Sequence, residues 1–421
     1  MFSPHYRAEP AGRHRPADGP LYFLERQLPG ALARESATVW RGFADGNENA
    51  GGGPMRVLHV EGGRNLYGGA LQVLYLLEGL ARRGIDNLLV CRPGSALGRA
   101  AASFARVCPL PMAGDLDLPL ILRLRRLIRA TGPDLVHLHS RIGADILGGI
   151  AARLERVPVV HTRRQDNPEH PWVVALKYRL YDRVVAISEG IARVLLAEGL
   201  PADKLRCVRS AVDWRRYGEA REDRWFRAEF GLPEGSRVIG VVAQLIARKG
   251  HRLLLEAMPA LVRRFPELRL ILFGQGPLEQ AVRADIRRLG LAGHVQLAGF
   301  RDDLPRILPC LELLVHPAWM EGLGVALLQA ASAGVPIVAC AAGGVPEAVR
   351  HGVNGLLVPP RDVEALGQAI GRLLEDPAAA RRMGEAGREL VRREFSVEAM
   401  VEGNLRVYRE LLGASRRTGH R

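Results

Sequence analysis

Glu321 stands directly before Gly322, Leu323 and Gly324, and the next residues, Val325, Ala326, Leu327, Leu328, Ala330 and Ala331, form an apolar run wide enough for a buried helix. A carboxylate, two glycines and a helix start suit an anionic ligand. The first N–H groups of a helix lack intrahelical partners and carry partial positive charge, so the amides of Val325 to Leu327 read as a phosphate site. The alternative is a tight strand-to-helix turn of the sort found throughout α/β proteins. Gly334, Val335 and Pro336 end the helix and open a strand, and Gly343 to Glu347 then lead into a second helix start.

Two adjacent cations, Arg248 and Lys249, lie in AQLIARKGH just before Gly250 and a further helix. A lysine beside a helix start neutralises the charge that builds on a departing diphosphate without needing a metal; a solvated Arg-Lys turn is the plain alternative. The chain holds only three lysines, Lys177, Lys204 and Lys249, in a background of arginine, so each merits its own account. In FGQGPLEQ, Gly274 and Gly276 follow a strand, but Glu279 stands where a dinucleotide fingerprint needs a third glycine. That pattern argues for a turn near a nucleotide rather than an NAD site.

Toward the amino terminus, Gly62 and Gly63 and then Gly68 and Gly69 would let the backbone approach a ligand, or serve as a flexible loop. HLHSRIG and HTRRQD put His139, Ser140, Arg141, His161, Arg163, Arg164 and Asp166 at the ends of neighbouring strands. No Ser-His-Asp order and no metal-ligand spacing can be defended among them. A histidine in such a place is more often hydrogen-bonded structure than a catalyst. The segment LPLILRLRRLIRA sets Arg123, Arg126 and Arg129 against Leu120, Leu124, Leu127 and Ile128. Peripheral contact with an anionic membrane is one reading; an ordinary surface helix with its apolar side on a sheet is the commoner one.

An α/β scaffold must hold these groups. From Met55, short β-branched runs alternate with helical patterns, which is the signature of parallel βαβ units. Strands are expected at 56–60, 87–91, 134–139, 157–161, 183–187 and 205–209, with helices at 70–82, 118–130, 143–154, 172–180 and 189–197. After an Arg-rich connection the alternation restarts with strands at 237–243, 268–273, 294–297, 311–315, 336–339 and 356–358. Helices 362–374 and 378–392 follow. Ser396 is an N-cap candidate for a last helix, in which Val397, Met400, Val401, Leu405, Tyr408 and Leu412 recur at helical spacing. The expected organisation is an extension over 1–54 that is disordered or begins from a misassigned start, an amino-terminal domain over 55–213, a carboxy-terminal domain over 214–395 and a final helix over 396–412. The fold class is α/β, with two doubly wound Rossmann-like domains facing a cleft.

Composition sets outer bounds. A chain of 421 residues exceeds one ordinary core, and 48% hydrophobic with 25% charged residues is usual for a globular protein. No apolar run reaches the length of a membrane span, and no signal-peptide core is evident, so a cytoplasmic location is expected. The formal net charge of +14 suits anionic partners. Nucleic acid is not favoured, because aromatic residues are only 5% of the chain and leave few stacking platforms. Cys91, Cys108, Cys207, Cys310 and Cys340 are odd in number and widely spaced, which fits a reducing compartment and neither zinc nor redox chemistry.

From Met55 to the last helix the chain resembles the family-4 retaining glycosyltransferases of the GT-B fold. The likeness rests jointly on Gly68-Gly69, PDLVHLHS, VVAISEGIARVL, RKG, FGQGP, VQLAGF and, above all, EGLGVALLQAASAGVPIVA. It implies that the carboxy-terminal domain binds a nucleotide-sugar, with UDP-, GDP- or ADP-sugar as substrate and no further cofactor or metal, while the amino-terminal domain binds the acceptor. It further implies that Glu321 holds hydroxyls of the transferred sugar, that amides from Gly322 to Val325 face the sugar and diphosphate, that Lys249 neutralises the leaving group, and that Gly299, Phe300 and Arg301 lie near the base. Transfer would proceed with retention and without an obvious protein nucleophile, the leaving phosphate taking the acceptor's proton.

Three positions depart from the family pattern. The second glutamate, which holds ribose hydroxyls, is Gln329; the arginine five residues before the lysine is Gln244, so Arg248 would supply its charge; the histidine after the PVV strand aligns with Arg164, with His161 three residues earlier. The acceptor implied is a cell-envelope glycan or glycolipid, of the lipopolysaccharide-core type, at the inner membrane face. A non-catalytic nucleotide-sugar or glycolipid binder and a GT-B sugar-nucleotide epimerase are the alternatives.

Overall fold

A computed structural model of the chain describes residues 53–418 apart from residue 67, residues 140–142 and residues 219–220. The extension expected over 1–54 lies, but for its last two residues, outside the described residues. The first sheet comprises β1 (Arg56–Glu61), β2 (Asp86–Cys91), β3 (Arg106–Pro109), β4 (Leu135–Leu138), β5 (Val159–Arg163), β6 (Arg183–Ala186) and β7 (Leu205–Cys207). Its order is β3-β2-β1-β4-β5-β6-β7, and every neighbouring pair is parallel. The second comprises β8 (Arg237–Val242), β9 (Leu268–Phe273), β10 (Val295–Gly299), β11 (Leu313–His316), β12 (Ile337–Cys340) and β13 (Gly355–Val358). It runs β10-β9-β8-β11-β12-β13, again parallel throughout.

These runs become parallel strands because they are apolar on both faces, and only a sheet covered by helices on each side can use them. In β1 the alternation is explicit: Leu58 and Val60 enter a core with Leu120, Leu124 and Leu147, whereas Val57 enters one with Tyr75, Leu76, Leu80 and the final helix. That final helix, Val397–Thr418, packs Met400, Val401, Leu405 and Tyr408 onto the first domain. Strand ends move by at most two residues from the predicted ones. β3 is not announced by the sequence pattern, since Arg106-Val107-Cys108-Pro109 has no clear alternation and ends in proline. It is an edge strand paired only with β2, where both features are tolerated.

Strand order reverses between β1 and β4 in the first sheet and between β8 and β11 in the second. Loops at the carboxyl ends beside such a reversal splay apart and leave a crevice. The two domains also touch directly. Ser188 Oγ donates to the Gly322 carbonyl at 2.6 Å, and Glu347 accepts from the Gly190 amide at 2.9 Å and from Arg209 Nε at 3.0 Å. Among the described residues no helix is long and apolar enough to cross a membrane, and all five cysteines are free.

Candidate active site

A cavity of about 760 Å³ lies between the domains, walled by the loops at both strand reversals. From the second domain it takes Gln244, Arg248, Lys249, Gly274, Phe300, Arg301, Glu321, Gly322, Leu323, Gly324, Val325 and Gln329; from the first it takes Gly68, Gly69, His161 and Arg164. Of the residues proposed from sequence, Gly299 is not in the wall. Its carbonyl accepts the Gly274 amide at 2.7 Å and so holds the FGQGP turn from behind. Ser140 and Arg141 lie outside the described residues.

Lys249 and Glu321 form an ion pair, Nζ to Oε2, at the centre of this wall. His316 Nε2 reaches the same oxygen at 2.9 Å. Burial raises the Glu321 carboxyl, but the His316 hydrogen bond and the Lys249 charge more than offset it, so the group stays ionised well below the usual carboxylate range. Gly250 makes the pairing reachable. It sits at φ 72°, and a Cβ there would collide with the Pro317 carbonyl, so only glycine lets the Arg248-Lys249 turn lie flat against the loop after β11. The Trp319 amide donates to the Arg248 carbonyl at 3.1 Å and locks the two loops together.

The helix Val325–Ser332 begins at Gly324 with no side-chain cap, and Val325 and Ala326 line the cavity at its start. Those amides are a ready anion site on the same cavity as the Lys249 ammonium. One turn further, Gln329 also faces the cavity, whose wall includes the buried Tyr217. Among the described residues the Arg248 side chain makes one long hydrogen bond, 3.4 Å to the Met320 carbonyl, and it lines the cleft. Arg301 is committed elsewhere. It is held by Asp303 at 2.5 Å and Glu229 at 2.6 Å, so it shapes the wall beside the half-exposed Phe300 ring.

On the opposite wall, burial lowers the Arg164 guanidinium to about 10, opposed by the Glu61 carboxylate, so it remains a cation. The buried His161 ring stacks on Tyr181 at 4.6 Å and is pulled down to about 3 by burial first and the Lys177 charge second. A ring so held is neutral. The three lysines thus separate cleanly. Lys177 pairs with Asp145 at 2.9 Å and Glu169 at 3.2 Å, Lys204 donates to the Tyr178 and Tyr181 carbonyls, and only Lys249 enters the cavity.

His316, Tyr217, Gln72 and Thr162 belong to the site or its support without being singled out by sequence. For His316 a signal existed: it ends a strand five residues before Glu321. For the others none did, because their partners are remote. Among the described residues, His59, His137 and His139 bring ring nitrogens within 4.8 Å of one another, but both nitrogens of His137 already hold Tyr408 and Thr162. The helix Pro119–Thr131 buries Leu120, Leu124, Leu127 and Ile128, while Arg123 pairs with Asp117 and both Arg125 and Arg129 pair with Glu155. Its apolar side lies on the sheet, as in an ordinary surface helix.

The profile described as Glycosyl transferases group 1 matches residues 223–390, and that described as Glycosyltransferase Family 4 matches residues 67–216. The 2-deoxystreptamine glucosyltransferase of Streptomyces kanamyceticus is 32% identical over 358 residues, spanning 80% of this chain and 92% of that protein. The lipopolysaccharide core biosynthesis glycosyltransferase LpsE of Rhizobium meliloti is 26% identical, spanning 84% of this chain and 98% of its own length. The crystal structure of Anabaena Alr3699/HepE in complex with UDP and glucose superimposes with a TM-score of 0.74 at 22% identity, covering 84% of this chain and 99% of that one.

Proposed function

The chain belongs to the group 1 glycosyl transferases, and from that premise we propose that it moves a sugar, with retention, from a nucleotide-sugar to a cell-envelope glycan or glycolipid. The observation that carries this reading is the convergence of Lys249, Glu321 and the uncapped start of Val325–Ser332 on one cavity between two domains. In this scheme the diphosphate lies against Lys249, Arg248 and the amides at Val325 and Ala326. Glu321, kept ionised, accepts hydrogen bonds from hydroxyls of the transferred sugar. Gln329 holds the ribose, and the base lies by Phe300 and Gly274. The bond from the anomeric carbon to the diphosphate breaks, the acceptor hydroxyl bonds to the same face, and its proton passes to a leaving phosphate oxygen. Charge on that oxygen is stabilised by fixed cations and amides, which is why we assign no metal and no covalent intermediate.

We assign the acceptor to the wall formed by Gly68, Gly69, His161 and Arg164. Leu116, Leu118 and Leu122, exposed at the start of the Pro119–Thr131 helix, fit contact with a glycolipid or an anionic membrane better than its paired arginines do. Free thiols throughout suit the cytoplasmic side of that membrane. The test is a panel of UDP-glucose, UDP-N-acetylglucosamine, GDP-mannose and ADP-glucose scored for nucleotide release. Release from one of them, with NMR showing a retained anomer in the transferred product, supports the proposal. Inversion overturns the mechanism, and binding without turnover would favour a sugar-nucleotide binder.

A further inference from the structure

The final helix is linked to the cavity wall through two side chains of the first domain. Tyr408 is completely buried, its hydroxyl lies 2.6 Å from His137 Nδ1, and His137 Nε2 lies 2.7 Å from Thr162 Oγ1. Thr162 lines the cavity. A neutral imidazole has one donor nitrogen and one acceptor nitrogen, and burial, aided by neighbouring positive charge, holds His137 neutral.

Two placements of hydrogen satisfy these distances. In the first, Nδ1 donates to Tyr408 and Nε2 accepts from Thr162. The Tyr408 O–H then faces a core of Val57, Leu76, Val160 and Leu405, and no other hydrogen-bond partner for it is found among the described residues. An unmade bond of that kind is costly. In the second, Tyr408 donates to Nδ1, Nε2–H donates to Thr162 Oγ1, and the threonine hydrogen turns away from His137. Each donor inside the protein then has its acceptor, and the last hydrogen is offered to the cavity.

We propose that Thr162 is a substrate-binding residue, a hydrogen-bond donor to an oxygen of the transferred sugar, and that Tyr408 and His137 are positioning residues that set its polarity. The sugar is favoured as partner because Thr162 lies two residues before Arg164, whose carbonyl packs 2.7 Å from the Cβ position of Gly322, beside the Glu321 carboxylate. The identity of that ligand rests on the glycosyl-transfer reading; the direction of the relay does not.

Two measurements separate those dependencies. In 15N-histidine-labelled protein, assigned with His137→Gln, His137 is expected as the Nε2–H tautomer, and as the Nδ1–H tautomer in Tyr408→Phe. In hydrolysis of the best donor of the four-sugar panel, Thr162→Val raises KM about tenfold with a much smaller effect on kcat, and Thr162→Ser rescues the loss. Tyr408→Phe matches Thr162→Val, and the double variant is no worse than either, since both remove one hydrogen bond. An Nδ1–H tautomer in the wild-type protein, or an unmoved KM in Thr162→Val, overturns the inference. If none of the four donors is hydrolysed, the glycosyl-transfer reading fails while the tautomer still decides the relay. Should Tyr408→Phe not fold, the wild-type tautomer and the Thr162 pair decide it.

Discussion

Lys249 and Glu321, 72 residues apart in sequence, are ion-paired across the reversal between β8 and β11, and His316 binds the same carboxylate oxygen at 2.9 Å. The pair stores a cation beside an uncapped helix start while keeping the carboxylate ionised. Both suit the donor site proposed above, which would take a diphosphate and a polyhydroxyl sugar together.

Lys249→Ala should lower the rate of donor hydrolysis by about 10²–10³, the scale for removing one preorganised charge at a developing anion. The fold should persist, because His316 still satisfies Glu321. Nucleotide release alongside far-UV circular dichroism checks both halves; a rate within threefold of wild type would contradict the assignment of the lysine.

Gln329→Glu should lower the donor KM severalfold. A carboxylate accepts hydroxyl hydrogen bonds roughly twice as strongly as an amide. Steady-state kinetics over the donor panel measures this. A rise in KM would show that Gln329 does not face the ribose.

Gly344→Ala tests the contact between domains. A Cβ there would run into the Gly322 carbonyl and lie 2.9 Å from the Ser188 Cβ, so the Ser188–Gly322 hydrogen bond must yield. We expect a loss of about 1–3 kcal/mol, typical of overpacking, seen as a lower Tm together with a higher donor KM. An unaltered melting curve would mean that this contact is not maintained in solution.

Acid should destabilise the protein from near neutrality. Burial pulls His59 and His161 to about 3 and His251 to about 4, whereas an unfolded histidine titrates near about 6.5. Below about pH 6.5 the unfolded chain therefore binds more protons, so stability is full above that pH and falls as pH drops toward the folded values, by about 1.4 kcal/mol per unit for each histidine. Urea midpoints at pH 7, 6 and 5 should decline, and less steeply in His251→Gln. A flat profile would contradict the neutral burial of these rings.

Flotation with liposomes rich in anionic lipid should retain the wild-type chain and release a variant with Leu116, Leu118 and Leu122 all replaced by serine. These side chains are 92%, 64% and 53% exposed, so their removal should leave the melting temperature nearly unchanged. Equal flotation of both proteins would argue that the acceptor is not presented by a membrane through this edge.

Much of the scaffold was legible because its signals are local. Continuous apolar strands, helical spacing from Val397 to Leu412 and the glycines before Val325 act over a few residues, and the physics that turns them into elements acts over the same range. Glu321 and Lys249 were legible as cavity-lining candidates for that reason, since each lies between a strand end and a helix. The sequence could not say that Arg301 would be consumed by Asp303 and Glu229, that Gly299 would support Gly274 from outside the cavity, or that Arg123, Arg125 and Arg129 would close on Asp117 and Glu155.

By itself, then, the amino-acid order determined the two α/β layers, the family to which they belong and the loops that line the cavity, because periodicity and glycine placement are read along the chain. Tertiary structure alone decided which charges stay free for a ligand and which are neutralised, and it joined Tyr408 to Thr162 through His137. Those outcomes depend on distances between residues as far as 271 positions apart, and a charge or a hydrogen bond is settled by its nearest partner in space, which no local pattern encodes.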